Sequence, residues 1–174
     1  MTHEQAEFLL HQVYLPQIQN ESETTRRVLQ AVPADKCHWK PDEHAKSALE
    51  LAWHLAASEM FFLNGVAAGA FTPGGGGMPE NIKTPADVVK FYDENLSKAI
   101  ANVSAIKGDA LTRNVDFFGV FNFPAITYIG LMCSHSAHHR GQLSTYLRPM
   151  GSKVPKIYGG SYDEPIQVPA RAQQ

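Results

Sequence analysis

The sequence predicts an all-α protein, a four-helix bundle with irregular loops and a C-terminal tail. Three observations carry this reading. Apolar residues recur at spacings of three and four through long segments, most clearly at Val88, Tyr92, Leu96, Ala99, Val103 and Ile106. Proline- and glycine-rich breakers separate those segments. Two of the segments open on cap signatures, Ser47 with Glu50 and Thr84-Pro85 with Asp87. At 174 residues the chain suits one domain, expected to span 1–174, and is too short for two of ordinary size.

The first predicted helix runs from about Glu4 to Val32 and stops at Pro33. Leu9, Val13, Ile18, Val28 and Leu29 form its apolar side, and Pro16 is expected to kink or divide it. A loop over Pro33 to Ala45 follows. The second helix covers about Ser47 to Gly69, capped by Ser47. Gly74-Gly75-Gly76-Gly77 then reads as a flexible loop. It lacks the Lys-Ser/Thr of a phosphate-binding loop. Thr84 caps the third helix, Pro85 takes its first position, and Gly108-Asp109 closes it. The aromatic-rich stretch Val115–Phe123 is either a short hairpin or an extended connection packed over one end of the bundle. Asn122 and Pro124 open the fourth helix, which runs to about Pro149. The Pro- and Gly-rich tail, Gly151 to Gln174, is expected to be irregular, with loosely ordered last residues.

Composition narrows the function. Hydrophobic residues make up 44% and charged ones 18%, a globular profile with a formal charge of −2. There is no basic stripe of the kind that binds nucleic acid. No apolar run approaches a membrane span; the most apolar stretch, Leu49 to Gly69, contains His54, Glu59 and Asn64. The first residues show no basic segment leading into an apolar one, so a cytoplasmic protein is expected. Cys37 and Cys133 fit no CxxC pattern and read as free buried thiols.

The chemistry lies in the histidines. His3, His11, His38 and His44 stand in polar or terminal contexts and read as surface residues. His135 and His139 are one helical turn apart on the apolar side of the fourth helix, with Tyr128, Leu131, Met132, Gln142, Leu143 and Tyr146. Such a pair can hold one metal ion. Two core histidines satisfied by hydrogen bonds are the alternative. His138 is rotated to the flank. A third ligand must come from another helix, and His54 is the one histidine inside a second segment expected to be buried. Three imidazoles suit zinc, nickel or ferrous iron and leave a position open for water or substrate. Glu50 and Gln142 are candidates to orient the imidazoles. Arg140, on the flank, reads as half of a structural salt bridge.

The His135-x-x-x-His139-Arg-Gly-Gln signature, the lone upstream histidine in Leu51-Ala-Trp-His54-Leu and the closing Val154-Pro-Lys-Ile-Tyr segment resemble the DinB-like, or YfiT-like, metal-dependent proteins. Val32-Pro33, Trp39-Lys40-Pro41 and Phe117-Phe118-Gly119 also fall at family positions, so the resemblance covers nearly the whole chain. It implies an antiparallel four-helix bundle with an unusual connection order. It also implies a divalent metal on His54, His135 and His139, and a homodimer. Some such proteins are transferases or isomerases that use a bacterial low-molecular-weight thiol.

The expected function is therefore that of a divalent-metal-binding protein, read as a thiol S-transferase acting on a small electrophile. The bundle mouth, with Tyr128, Tyr146 and the phenylalanine-rich segment, would hold the electrophile. The alternatives are a metal-dependent hydrolase with Glu50 as base, and a non-catalytic stress protein that binds a metal or small ligand.

Overall fold

The computed structural model describes residues 1–74 and 77–167. The centre of the expected glycine loop, 75–76, and the end of the tail, 168–174, lie outside the described residues. The chain is mostly helical. Helix α1 (His3–Phe8) starts from a capping box between Thr2 and Gln5, continues through a π-helical segment (Leu9–Tyr14) and runs on as α2 (Leu15–Gln30). Pro16 explains the join. It has no N–H for the carbonyl four residues back, and just before it the Leu15 N–H reaches five residues back to the Leu10 carbonyl. The break or kink expected at Pro16 is thus replaced by one widened turn. The same turn moves Val13, expected on the apolar side, to 39% exposure, while Leu10, Leu15, Ile18, Val28 and Leu29 are buried.

Helix α3 (Ala48–Ala68) forms where the capping box of Ser47 and Glu50 predicts it, and it ends on Gly69 in the left-handed conformation, φ +68°. The chain then turns back so that the Phe71 ring lies on Gly65, where a Cβ would meet it at 2.3 Å. Helix α4 (Pro85–Ser104) starts at Thr84 as expected, buries Val88, Tyr92, Leu96, Ala99 and Val103, and ends a few residues before Gly108. A short helix α5 (Asp109–Thr112) comes next, unforeseen in the sequence.

The aromatic stretch is a hairpin. Strands β1 (Asn114–Phe117) and β2 (Phe121–Pro124) pair antiparallel, with Phe117 opposite Phe121. The all-α expectation is corrected on this point. Only Val115 of the pair is fully buried, so strands this short show no alternation to read. Helix α6 (Ala125–Leu147) follows directly. The Tyr128 hydroxyl donates to the Val115 carbonyl at 2.7 Å and ties the hairpin to α6.

Helix α3 packs along both α4 and α6, and α2 also touches both. The core lies between them, built from residues such as Leu51, Leu55, Leu63, Ile129 and Leu143, each with no exposed surface. The described part of the tail is irregular and pinned to α2 and α6 by Arg27–Glu164 and Arg148–Asp163 ion pairs. Cys37 is buried, Cys133 is partly buried, and both are free. No helix among the described residues is long and apolar enough to cross a membrane.

Candidate metal centre

Packing α3 against α6 brings His54, His135 and His139 together, the three residues singled out in the sequence. One ligating atom from each lies within 4.8 Å of the other two. The ring centroids are 5.0 Å apart for His54–His135, 4.5 Å for His54–His139 and 4.4 Å for His135–His139. All three residues are half-buried.

The donor set fits a metal ion. His54 Nε2 and His139 Nε2 face each other at 3.1 Å, close to the roughly 3.3 Å between two nitrogens that share a tetrahedral zinc with bonds of about 2.0–2.1 Å. The Gln142 side-chain oxygen lies 3.0 Å from His139 Nδ1. An amide oxygen only accepts, so it selects the Nδ1–H tautomer and leaves the Nε2 lone pair free. His135 Nδ1 is buried without a hydrogen-bond partner. Burial holds all three imidazoles toward the neutral form that ligates metals. His135 is pushed down to about 4, first by burial and then by His139 and His54. His54 is lowered by burial and by His139, and His139 mainly by burial.

Other residues fall where the cluster does not use them. His138 is exposed, with its ring 4.8 Å from that of His139. His3, His38 and His44 are exposed, and His11 is half-buried. Glu50, expected to orient an imidazole, instead accepts from the Ser47 N–H and hydroxyl, both at 2.7 Å. The cap competes for the carboxylate and wins because it is local. The Ser58 hydroxyl lies 3.5 Å from His54 Nδ1. Tyr128 and Tyr146, expected at the mouth, are buried; Tyr128 holds the hairpin and Tyr146 packs edge-on to Trp39.

A cavity of ≈ 840 Å³ opens beside His54, with Lys46, Trp53, Phe61, Met78 and Phe118 in its walls. Lys46 and Trp53 were missed as site residues. For Trp53 the signal was present: Glu50, Trp53, His54, Ala57 and Phe61 follow the helical spacing of one α3 face, whereas Lys46 precedes the helix.

On the other side of α6, Arg140 is 1% exposed. Its guanidinium pairs with Glu21, donates to Thr25 Oγ1 at 3.0 Å and meets the Tyr158 hydroxyl. The expected salt bridge exists, but buried rather than on the flank. Glu59, 4% exposed, accepts from the Tyr92 hydroxyl at 2.6 Å. Burial raises its carboxyl.

The architecture and the cluster define a class: a mostly helical protein with three histidines on two packed helices, arranged so that they could hold a metal ion. Residues 17–143 match the sequence profile of the DinB superfamily, and the chain belongs to that family. The uncharacterized protein YjoA of Bacillus subtilis strain 168 is 27% identical over 129 residues, 73% of this chain and 82% of its own. The crystal structure of the same DinB-like YjoA superposes with a TM-score of 0.69, at 24% identity over 83% of this chain and 96% of that one. A DinB-like protein from Bacillus cereus ATCC 10987 gives 0.70 at 22% identity, over 83% and 95%. The mycothiol-dependent maleylpyruvate isomerase has a more distant fold likeness, with a TM-score of 0.50 at 10% identity, over 83% of this chain and 64% of its own.

Proposed function

We propose that this chain binds one divalent metal ion through His54, His135 and His139 and uses it to transfer a small thiol to an electrophile. The observation that carries the reading is the cluster itself: three half-buried imidazoles within reach of one ion, with a cavity opening beside His54. Zinc, nickel and ferrous iron suit this donor set. When bound, such an ion lowers the pKa of a thiol at its open position and holds it as thiolate, the nucleophile. Gln142 keeps His139 in the ligating tautomer. Trp53, Phe61 and Phe118 present an apolar surface on which the electrophile lies. The thiol gives up its proton to solvent, its sulfur bonds to the electrophilic carbon, and the displaced group leaves with the pair of the bond that breaks.

The name of the mycothiol-dependent isomerase of similar fold supports a thiol as co-substrate. In this reading the four long helical segments form one antiparallel four-helix bundle within a single domain, the protein acts in the cytoplasm, and two copies form a homodimer. Metal-assisted hydrolysis has less support, because the carboxylate of Glu50, the acid that would serve as base, is held on the Ser47 cap.

The test is loss of 1-chloro-2,4-dinitrobenzene in the presence of glutathione, bacillithiol or mycothiol, with zinc, nickel or ferrous iron added to metal-stripped protein. Turnover that requires both metal and thiol, and that disappears in His135→Ala, is expected. No turnover with any of the three thiols would overturn thiol transfer.

A further inference from the structure

The cavity beside His54 has two features that the metal centre does not require. The first is Lys46. It is exposed in the cavity wall and makes no ion pair among the described residues. The single carboxylate among the residues lining the cavity, Glu50, has Oε2 engaged by the Ser47 N–H and hydroxyl. Lys46 lies close enough to help hold Glu50 ionised, and no contact with it is short enough to count as a bond.

The second is Phe118, at the tip of the hairpin. Its φ is +56°, a left-handed backbone that is a genuine outlier for a bulky residue. Gly119 follows at φ +73°. Hairpin turns with two such residues ordinarily place Asn or Asp before the Gly. The turn closes through its backbone, with Val120 N–H donating to the Phe117 carbonyl at 3.0 Å, and through Asp116, which accepts from the Gly119 N–H. None of these bonds needs a phenylalanine side chain. What Phe118 adds is a ring, 45% exposed, stacked near Phe61 with centroids 6.3 Å apart and planes 21° from parallel. Residues held in unfavourable backbone conformations cluster at ligand clamps, where the surroundings enforce them.

We infer that the cavity binds a small aryl anion, its flat body against Trp53, Phe61 and Phe118 and its carboxylate or sulfonate on Lys46. The inference rests on reading this cavity as the substrate pocket of the metal centre, and it names the class of substrate. It also assigns Lys46 and Phe118 as specificity-determining residues. Phe118 is kept for its ring at some loss of hairpin stability.

The experiment is calorimetric titration of metal-stripped protein with 2-naphthoate and with its neutral analogue 2-naphthamide. With the metal stripped, the carboxylate has no metal ion to bind, and Lys46 is the cation left to it in the cavity wall. Naphthoate is expected to bind roughly fivefold tighter, the upper range for a partly exposed ion pair. Lys46→Gln should bring it to the level of the amide. Phe118→Asn should weaken both ligands by roughly threefold to tenfold, the range for an aromatic contact, while the melting temperature stays level or rises. Binding of neither ligand at about millimolar concentration would overturn the inference. So would an acid preference that survives Lys46→Gln, unchanged binding in Phe118→Asn, or a lower melting temperature in that variant. Zinc uptake is measured on the same preparation by mass spectrometry. A chain that takes up zinc but shows no anion preference loses this inference and keeps the metal centre; one that binds the anion but no zinc does the reverse.

Discussion

His139 and Arg140 are neighbours in the chain and work on different sides of α6. His139 joins the cluster with His54, while Arg140 turns into the core toward Glu21 and Thr25 on α2. The guanidinium is taken out of water, and its partners compensate for that. Removing one member of such a pair costs more than the pair contributes, because the other charge, here the half-buried Glu21, is left without its partner. Arg140→Met is therefore expected to destabilise the metal-free protein by about 3–5 kcal/mol in urea denaturation. A loss under about 1 kcal/mol, the range of a surface pair, would show that Arg140 is solvated. The sequence showed that Arg140 sits off the histidine face. It did not show burial, because arginine is rarely buried alone, and its partners lie on two distant segments, Glu21 and Thr25 on α2 and Tyr158 in the tail.

The helices begin where local chemistry dictates. At the start of α4 the Asp87 carboxylate accepts from the Lys83 N–H at 3.0 Å, the Thr84 N–H at 2.9 Å and the Thr84 hydroxyl at 2.8 Å. These bonds favour the ionised form and hold its carboxyl below the usual 3.8. Below both pKa values the two states are equally protonated. The cap thus stabilises the fold fully above the unfolded value and less as pH falls through the lower folded one. The stability gap between the native chain and Asp87→Asn, measured by urea denaturation from neutral pH downward, is expected to close in acid below about pH 4. A gap that widens there would contradict this origin. The boxes at Ser47 and Thr84 were legible because each lies within four residues. The π-helical turn before Pro16 was not, and the β1–β2 hairpin was legible only as one of two alternatives. The first is one of several ways a helix can absorb a proline, and the second is held by Tyr128, which lies on a different element.

For the molecule as a whole, the histidine cluster joins α3 to α6, helices whose contacting residues are far apart in sequence. Its site was legible because two ligands share one helix turn at His135 and His139 and a single histidine, His54, remained in another buried segment. The cavity walls needed the fold, since the hairpin that delivers Phe118 comes from a distant part of the chain. A ligand that binds only the folded state stabilises it by mass action. At about 100 times its dissociation constant, a metal ion should add about 2.7 kcal/mol, which for a chain of this size raises the melting temperature by roughly 5–10 °C. That rise should be absent from the His54→Ala/His135→Ala/His139→Ala triple variant in a thermal scan. An equal rise in the triple variant would place the ion elsewhere.

Metal content by mass spectrometry, on protein purified without a nickel column, tests the metal centre most directly. It is measured beside the single variants His54→Ala, His135→Ala and His139→Ala. About one equivalent in the native chain, lost in each variant, is expected for one ion held by three histidines. A native chain that holds no metal and takes up neither zinc, nickel nor ferrous iron would contradict the metal centre and make the three histidines residues of the core.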